Sequence, residues 1–367
     1  MSKRVLVTGG SGFIGRRLCQ ELLDSGYIVR SLDSLVEQVH GGQAPHNPGI
    51  EFIRADIRDA NAVRRALDGV DLVAHLAAEV GVGQSMYEIE RYVGANELGT
   101  AVLLQALIRR PVERIVVASS MSIYGEGAYA TPDGELVFNA RRSSDDIRAG
   151  AWDPADPAGR PLEPAPTPES KPADLSSIYA LNKFAQERAV LIFGETYRIP
   201  AVALRLFNVF GPGQALSNPY TGVLANFASR LLNREPPLIF EDGRQRRDFV
   251  HVDDVARAFR LALENDRASG LAINIGSGNS YTISEVARLL ADAMGLSIEP
   301  EILNKARAGD IRNCFADTRL AIEALGFAAS TRLETALAGL VEWVRQSKAH
   351  DRAAQMRREL EERGLVA

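Results

Sequence analysis

A doubly wound α/β fold, with helices on both faces of a parallel sheet, is what this chain's sequence predicts. Short apolar runs alternate with stretches of helical periodicity from residue 4 to about residue 120, and a glycine-rich turn joins the first of each. Such alternation implies βαβ units, whose crossover helices cover both sheet faces.

The elements follow in order. Residues 4–8 form an apolar run ending in glycines, and residues 12–25 repeat Phe13, Ile14, Leu18, Leu22 and Leu23 at helical spacing before Gly26, a suitable C-cap. Strands are expected at 27–32, ending at Asp33, and at 51–55. A helix follows at 60–67, a strand at 71–76, a helix at 96–109 and a β-branched strand at 114–119. Residues 126–175 break the pattern, with prolines at 132, 154, 157, 161, 164, 166, 168 and 172. A segment of this length inside a compact design is a functional lid or a plain surface insertion. Helix resumes at 179–193 and strand at 201–207, and further helices are expected at 223–233, 253–264 and 283–294. The expected division is residues 1–205 as a dinucleotide-binding domain, carrying the 126–175 insertion, and 206–345 as a smaller C-terminal α/β substrate-binding domain. Residues 245–265 are expected to return to the first domain, and 346–367, rich in Arg, Glu and Lys, to form a solvated terminal helix or tail.

Composition narrows the class. The chain has 367 residues, 46% of them hydrophobic, and a net charge of −5. That charge gives no general affinity for nucleic acid, so any phosphate site must be built locally. Cys19 and Cys314 are the only cysteines, which excludes a disulfide framework and a zinc cluster; no metal is expected. No apolar run approaches the ~18 residues of a membrane span. The start of the chain reads directly into a core strand, and a cytoplasmic location is expected.

Gly9, Gly12 and Gly15 sit where the first strand turns into the first helix. In such a turn the first glycine permits the tight bend, the second lets backbone approach a pyrophosphate, and the third lets helix pack on strand. Backbone N–H groups at the helix start then bind the phosphates. Asp33, at the end of strand two, would accept from the adenosine ribose hydroxyls and repel a 2′-phosphate, so NAD is favoured over NADP. Asp56-Ile57 either borders the adenine or is a strand-end turn. Leu76-Ala77-Ala78 ends the fourth strand with small residues suited to close approach of a cofactor.

Tyr179 and Lys183 are four residues apart on one helical face. Tyrosine ordinarily ionises near pH 10. An ammonium beside it would lower that value and make the phenol a usable base. Ser120, at the end of the fifth strand, would orient a substrate alcohol. A base for the hydroxyl proton beside a hydride acceptor is an alcohol-oxidation site.

These motifs resemble the extended short-chain dehydrogenase/reductase family, in its NAD-dependent sugar-nucleotide epimerase/dehydratase branch. The resemblance rests on residues 8–15, 56–57, 76–78, Asn96, 119–125, Tyr179 with Lys183, 205–213, 247–254 and 274–278, in family order over most of the chain. It implies a Rossmann-type domain for NAD, held by Gly9, Gly12, Phe13, Ile14, Gly15, Asp33, Asp56, Ile57, Leu76, Ala77, Ala78, Asn96, Tyr179 and Lys183. It implies Ser120, Tyr179 and Lys183 as the catalytic set. It further implies a nucleoside-diphosphate sugar held by Ser120, Ser122, Asn208, Arg247, Arg307 and Asp310. Arg244 and Arg246 lie nearby and are equally readable as surface charges.

Two departures shape the expected activity. Sugar 4,6-dehydratases of the family place an Asp-Glu pair where this chain has Met121 and Ser122, so water elimination is not expected. The insertion resembles one in a subgroup that includes dTDP-L-rhamnose 4-epimerases, but lacks the cysteine pairs some relatives carry there. The resemblance thus implies a redox-neutral 4-epimerase, with dTDP-L-rhamnose and dTDP-6-deoxy-L-talose as the pair interconverted. A UDP-glucose or UDP-N-acetylglucosamine 4-epimerase is the alternative; a dehydratase, a decarboxylase or a non-enzymatic NAD-binding protein is a more distant one. It also implies a homodimer paired through the helices at 97–109 and 179–193, both of which carry apolar residues on more than one face.

Overall fold

The computed structural model describes residues 2–40, 47–214, 222–306 and 310–346. Along the first half run β1 (Arg4–Thr8), α1 (Phe13–Asp24), β2 (Ile28–Asp33), α2 (Glu37–His40), β3 (Ile50–Arg54), α3 (Ala60–Ala66), β4 (Leu72–His75), α4 (Val82–Ser85) and α5 (Ile89–Val93). A π-helical turn over Gly94–Leu98 leads into α6 (Gly99–Arg109), then β5 (Arg114–Ser120) and a 3₁₀ turn over Met121–Tyr124. The expected segment 126–175 contributes β6 (Ala128–Ala130), β7 (Leu136–Val137), α7 (Ser144–Arg148) and β8 (Glu163–Ala165). Then come α8 (Ile178–Tyr197), β9 (Ala201–Leu206), β10 (Asn208–Phe210), α9 (Val223–Leu232), β11 (Leu238–Ile239), β12 (Arg246–Arg247), β13 (Phe249–His251) and α10 (Val252–Glu264). The chain continues through β14 (Ala272–Ile275), β15 (Tyr281–Thr282), α11 (Ile283–Ala293), β16 (Glu301–Ile302), β17 (Asn313–Cys314), α12 (Arg319–Leu325) and α13 (Leu333–Gln346).

Seven strands form one parallel sheet in the order β14-β9-β5-β4-β1-β2-β3. Alternate strand residues point to opposite faces, so the central strands β1, β4, β5 and β9, covered on both, are buried along nearly their whole length, whereas the edge strand β3 is largely exposed. Val5 and Val7 join Leu18, Leu22 and Phe259 in a core under α1, α10 and α12. Leu6 and Val73 join Val63, Leu103, Leu107 and Val190 under α3, α6 and α8. A third core lies in the C-terminal unit, where Leu224, Phe227, Leu290, Leu337 and Leu340 bring α9, α11 and α13 together. β14 and α12 also belong to the main sheet and its first core, so the chain crosses between the two units more often than residues 245–265 alone would require.

The insertion differs from the irregular loop its prolines suggest. β7, β6 and β8 form a small antiparallel sheet around Tyr129, Ala140 and Leu162. Polar contacts dock it on the C-terminal unit. Arg142 donates to Glu241 at 2.7 Å and to the Asp310 carbonyl at 3.0 Å. Arg312 pairs with Glu241 at 3.1 Å, with Asp153 at 2.7 Å and with Asp242. The Glu126 carboxylate accepts from the backbone of Arg312 and Asn313 at 2.9 and 2.6 Å. Arg142, Glu241 and Arg312 have almost no solvent exposure, so the pairing is obligatory: a buried charge without its partner would be costly.

Among the described residues no helix is long and apolar enough to cross a membrane. The terminal helix expected over 346–367 lies, beyond Gln346, outside the described residues.

Candidate active site

The carboxyl edge of a doubly wound sheet is where ligands bind, because strand ends and helix starts open a crevice there. Here a cavity of about 450 Å³ runs along that edge. The residues lining it come from the ends of β1, β2, β4 and β5, from the start of α8 and from the segment after β9.

The β1–α1 turn is built to admit no side chains at two points. A Cβ on Gly15 would lie 2.1 Å from the Gly9 carbonyl oxygen, so the helix can sit this close to the turn only with glycine. Gly9 itself takes φ +71°, and a Cβ there would meet the backbone of Ala77 at 2.8 Å. Gly12, Phe13, Ile14, Leu76, Ala77 and Ala78 complete this end of the cavity.

Asp33 is buried at the end of β2. Its carboxylate accepts from the Ser11 and Leu35 N–H groups, each at 2.9 Å, and lies 3.5 Å from His40 Nε2. Burial alone would raise its pKa. The contact with His40 and the two backbone donors outweigh that and hold it below the usual value. A carboxylate kept ionised at this position suits ribose hydroxyls and opposes a 2′-phosphate. The glycine cradle and this carboxylate together fit NAD.

Ser120, Tyr179 and Lys183 converge on the cavity. β5 delivers Ser120, whose hydroxyl accepts from the Ser122 N–H and lies 2.9 Å from the Ser122 hydroxyl. α8 delivers the other two. Its N-cap, Ser177, accepts from the Ala180 N–H at 3.1 Å, and the Tyr179 N–H donates to Ser85 Oγ at 3.0 Å. Lys183 Nζ donates to the Ala118 carbonyl at 2.9 Å and to Gln186 Oε1 at 3.0 Å.

The electrostatics differ from the expectation that the ammonium lowers the phenol. Burial pushes Tyr179 up to about 12, with the Ser120 hydroxyl pulling the other way. Burial also brings Lys183 down to about 7. Loss of water dominates both groups, because each is enclosed, and the lysine's bonds go to neutral carbonyl oxygens rather than to the phenol.

Asn208, in β10, also lines the cavity, and its buried Oδ1 has no hydrogen-bond partner among the described residues. An orphaned buried acceptor on a cavity wall is a fitting contact for a ligand donor. Asp56 and Ile57 line the same cavity; Asp56 is paired with Arg58 at 2.7 Å, and this pairing holds its pKa low.

Four of the expected ligand contacts stand off the cavity wall. Asn96 is buried behind it, with its amide clamping the backbone of Glu79: the Glu79 N–H donates to Oδ1 at 2.7 Å and Nδ2 donates to the Glu79 carbonyl at 3.1 Å. It shapes the cofactor wall and does not form it. Ser122 lies behind Ser120. Arg247 donates to the carbonyls of Arg246 and Arg312 at 2.9 and 3.0 Å, and to that of Ile311. Asp310 receives Arg142 on its carbonyl. Arg307 lies outside the described residues.

Other lining residues went unsingled in the sequence. Gln38, His40, Glu79, Gln84 and Arg91 form a polar wall, in which Arg91 pairs with Glu79 at 2.8 Å and donates to Gln38 at 3.0 Å. Glu79 lies in the loop after β4 and the other four on short helices with no periodic signal. Glu187 had a signal, lying four residues past Lys183 on the same face. It is fully buried and binds Arg205 at 2.7 and 3.0 Å and the Ser119 hydroxyl at 2.6 Å. Arg205 in turn donates to the Tyr124 hydroxyl at 2.9 Å, fixing the turn that follows Ser120.

Comparison with known proteins places this geometry. A model of the NAD dependent epimerase/dehydratase family matches residues 5–143 and 155–276. A dTDP-L-rhamnose 4-epimerase of Burkholderia thailandensis is 34% identical over 354 residues, spanning 94% of this chain and 95% of that protein. The solved UDP-N-acetylglucosamine 4-epimerase from Methanobrevibacter ruminantium, in complex with UDP-N-acetylmuramic acid, is similar with a TM-score of 0.76 at 30% identity, covering 94% of this chain and 99% of its own. The Thermus thermophilus UDP-glucose 4-epimerase, in complex with NAD, gives 0.73 at 31% identity with the same coverage.

Proposed function

The chain belongs to the NAD-dependent epimerase/dehydratase family, and on that premise we propose that it is a nucleotide-sugar 4-epimerase. The observation that carries this reading is the convergence of Ser120, Tyr179 and Lys183 on the cavity that the glycine cradle opens. Tyr179 takes the C4 hydroxyl proton, Ser120 orients that hydroxyl, and Lys183 supports the phenolate and the ribose side of the cofactor. NAD, which the glycine cradle and Asp33 would hold, would supply a hydride acceptor and, once reduced, a hydride donor beside C4 of the sugar. Met121 and Ser122 occupy the turn after Ser120, and among the described residues the carboxylates on the cavity wall are Asp33, Asp56 and Glu79, none of them on that turn. This favours epimerisation over elimination of water, which needs an acid and a base beside the oxidised carbon.

For the substrate we favour dTDP-L-rhamnose, converted to dTDP-6-deoxy-L-talose, on the similarity to the Burkholderia protein. The similarity to the Methanobrevibacter structure supports a UDP-hexosamine as the second reading. In both, Asn208, on the cavity wall, meets the diphosphate, and the family resemblance implies Arg247 and Arg307 as further phosphate contacts and Asp310 as a contact of the nucleoside ribose. Purified protein incubated with dTDP- and UDP-sugars, without added reductant, is expected to yield the C4 epimer by NMR with no net NADH. Stoichiometric NADH would instead identify a dehydrogenase.

We further place a twofold interface on α6 and α8. Leu103, Leu104, Leu107, Val190, Leu191 and Phe193 are consumed by the chain's own core. What stays outside is Leu98, Ile108, Leu181 and Ile192, at 54, 46, 45 and 53% exposure. Four large aliphatic residues, on α8 and on α6 with the π-helical turn that leads into it, fit an isologous contact. Light scattering is expected to give twice 39.8 kDa, and a concentration-independent monomer mass would move the interface out of the account.

A further inference from the structure

Behind Tyr179 lies a chain of buried polar groups of which only its last member, Lys183, lines the cavity. Thr8, His75, Asn96, Thr100, Gln186 and Lys183 are all almost fully buried. The directions of its hydrogen bonds follow from one another. The Thr100 hydroxyl donates to the Asn96 carbonyl, one turn back on its own helix, so its oxygen is left to accept. Two groups approach that oxygen, His75 Nε2 at 2.9 Å and Gln186 Nε2 at 2.9 Å. Both must therefore donate. His75 is then the Nε2–H tautomer, and its bare Nδ1 accepts from the Thr8 hydroxyl at 2.7 Å. Thr8 Oγ1 in turn accepts the Ala77 N–H at 3.2 Å. With Nε2 of Gln186 committed to Thr100, only its carbonyl oxygen can face Lys183, and it does so at 3.0 Å.

We infer that Gln186 is a positioning residue for Lys183: the Thr100–His75 chain fixes its amide direction, so that it presents a neutral acceptor holding the lysine protonated and aimed into the cavity. This rests on the role given to Lys183 above.

Two opposing effects meet at that nitrogen. Burial removes water from the ammonium and draws its pKa down to about 7, whereas free lysine ionises near 10.4. Hydrogen bonds to the charged form work against this loss. The Ala118 carbonyl is one such acceptor and Gln186 is the other. A neutral acceptor stabilises the charge without cancelling it, where a carboxylate would cancel it. The other titratable groups around Lys183 fit this account. Tyr179 lies on its own helix. His75, on β4, is kept neutral by burial and then by the lysine's charge, which together bring it down to about 3. Glu187, one turn on, is bound to Arg205 and Ser119. From β5 Lys183 receives the Ala118 carbonyl, and α6 reaches it through Thr100 and Gln186.

The test follows the lysine directly. The chain's lysines are Lys3, Lys171, Lys183, Lys305 and Lys348, few enough to resolve by carbon NMR of lysine-labelled, NAD-saturated protein, with Lys183→Met assigning the signal. In Gln186→Met the acceptor is gone, and the Lys183 titration is expected to move down by about one to two pH units, the size of a lost bond to a charged group. In Gln186→Glu a carboxylate faces the ammonium, and the titration is expected to move up. Opposite shifts at one position are not produced by general loosening. Unchanged titrations, or shifts of the same sign, overturn the inference. If Gln186→Met does not fold, the sign of the Gln186→Glu shift decides alone: upward supports, unchanged or downward overturns. The measurement needs no sugar substrate, so its outcome is separate from that of the sugar-nucleotide assay that tests the proposed activity.

Discussion

Tyr179→Phe is expected to abolish turnover while leaving the protein folded and able to bind NAD. The ring is enclosed, and phenylalanine fills the same space; what disappears is the hydroxyl that lies beside Ser120. The backbone contact that seats the residue, from its N–H to Ser85 Oγ, does not depend on the side chain. Positioned acid–base groups contribute ~10²–10⁴-fold, and a base that starts the hydride transfer stands at the upper end of that range. The checks are NAD content, melting temperature and C4 epimer formed. Activity within about threefold of wild type would mean that another group takes the proton.

Glu187→Ala is expected to act on the fold itself. The carboxylate is fully buried, and both oxygens are used, one by Arg205 Nη2 and the other by Arg205 Nε and the Ser119 hydroxyl. Removing it strands a guanidinium inside the protein, between α8, β5 and β9. Breaking a buried pair in this way costs about 3–5 kcal/mol, far more than the pair adds when intact. Because the same arginine also steadies Tyr124, the Ser120 turn should loosen as well. Denaturant unfolding measures this, and a loss below about 1 kcal/mol would show that water reaches Arg205 and restores its solvation. A double change, Glu187→Leu with Arg205→Met, should recover most of the stability, since apolar replacements of a buried pair are often neutral.

The main sheet was legible in the sequence because its central strands are buried on both faces and helices such as α1 and α10 carry one apolar stripe, whereas α8 spreads its apolar residues around the helix. β1, α1, β5 and α9 fall within a residue or two of the bounds read from periodicity. β14 escaped that reading: four residues, with Asn274 among them, make too short a run to register. The insertion escaped it for a different reason. Its strands span two or three residues and are held by pairings such as Arg142 with Glu241, almost a hundred positions apart, which no local pattern encodes. At the site, the glycine turn, Asp33 and the Tyr179–Lys183 spacing were readable because each imposes its chemistry locally. Arg247 and Asn96 were readable only as residue types. Their partners are distant backbone groups, the carbonyls of Ile311 and Arg312 and both polar atoms of Glu79, so the sequence could name them as polar anchors but not say what they anchor.

The clasp between the insertion and the C-terminal unit limits how this chain can be trimmed or recombined. A segment joined through apolar contact can be shortened at the cost of some exposed surface. Here, replacing residues 126–175 by a tight turn would take Arg142 and Asp153 away from Glu241 and Arg312, and Glu126 away from the backbone of Arg312 and Asn313. The two halves of the clasp are therefore tied in heredity as well as in space: without the insertion Arg312 keeps Glu241 and Asp242, one cation between two carboxylates, so a shorter form gains by neutralising Glu241 in the same step, and a chimera that transplants the insertion must carry Glu241 and Arg312 with it.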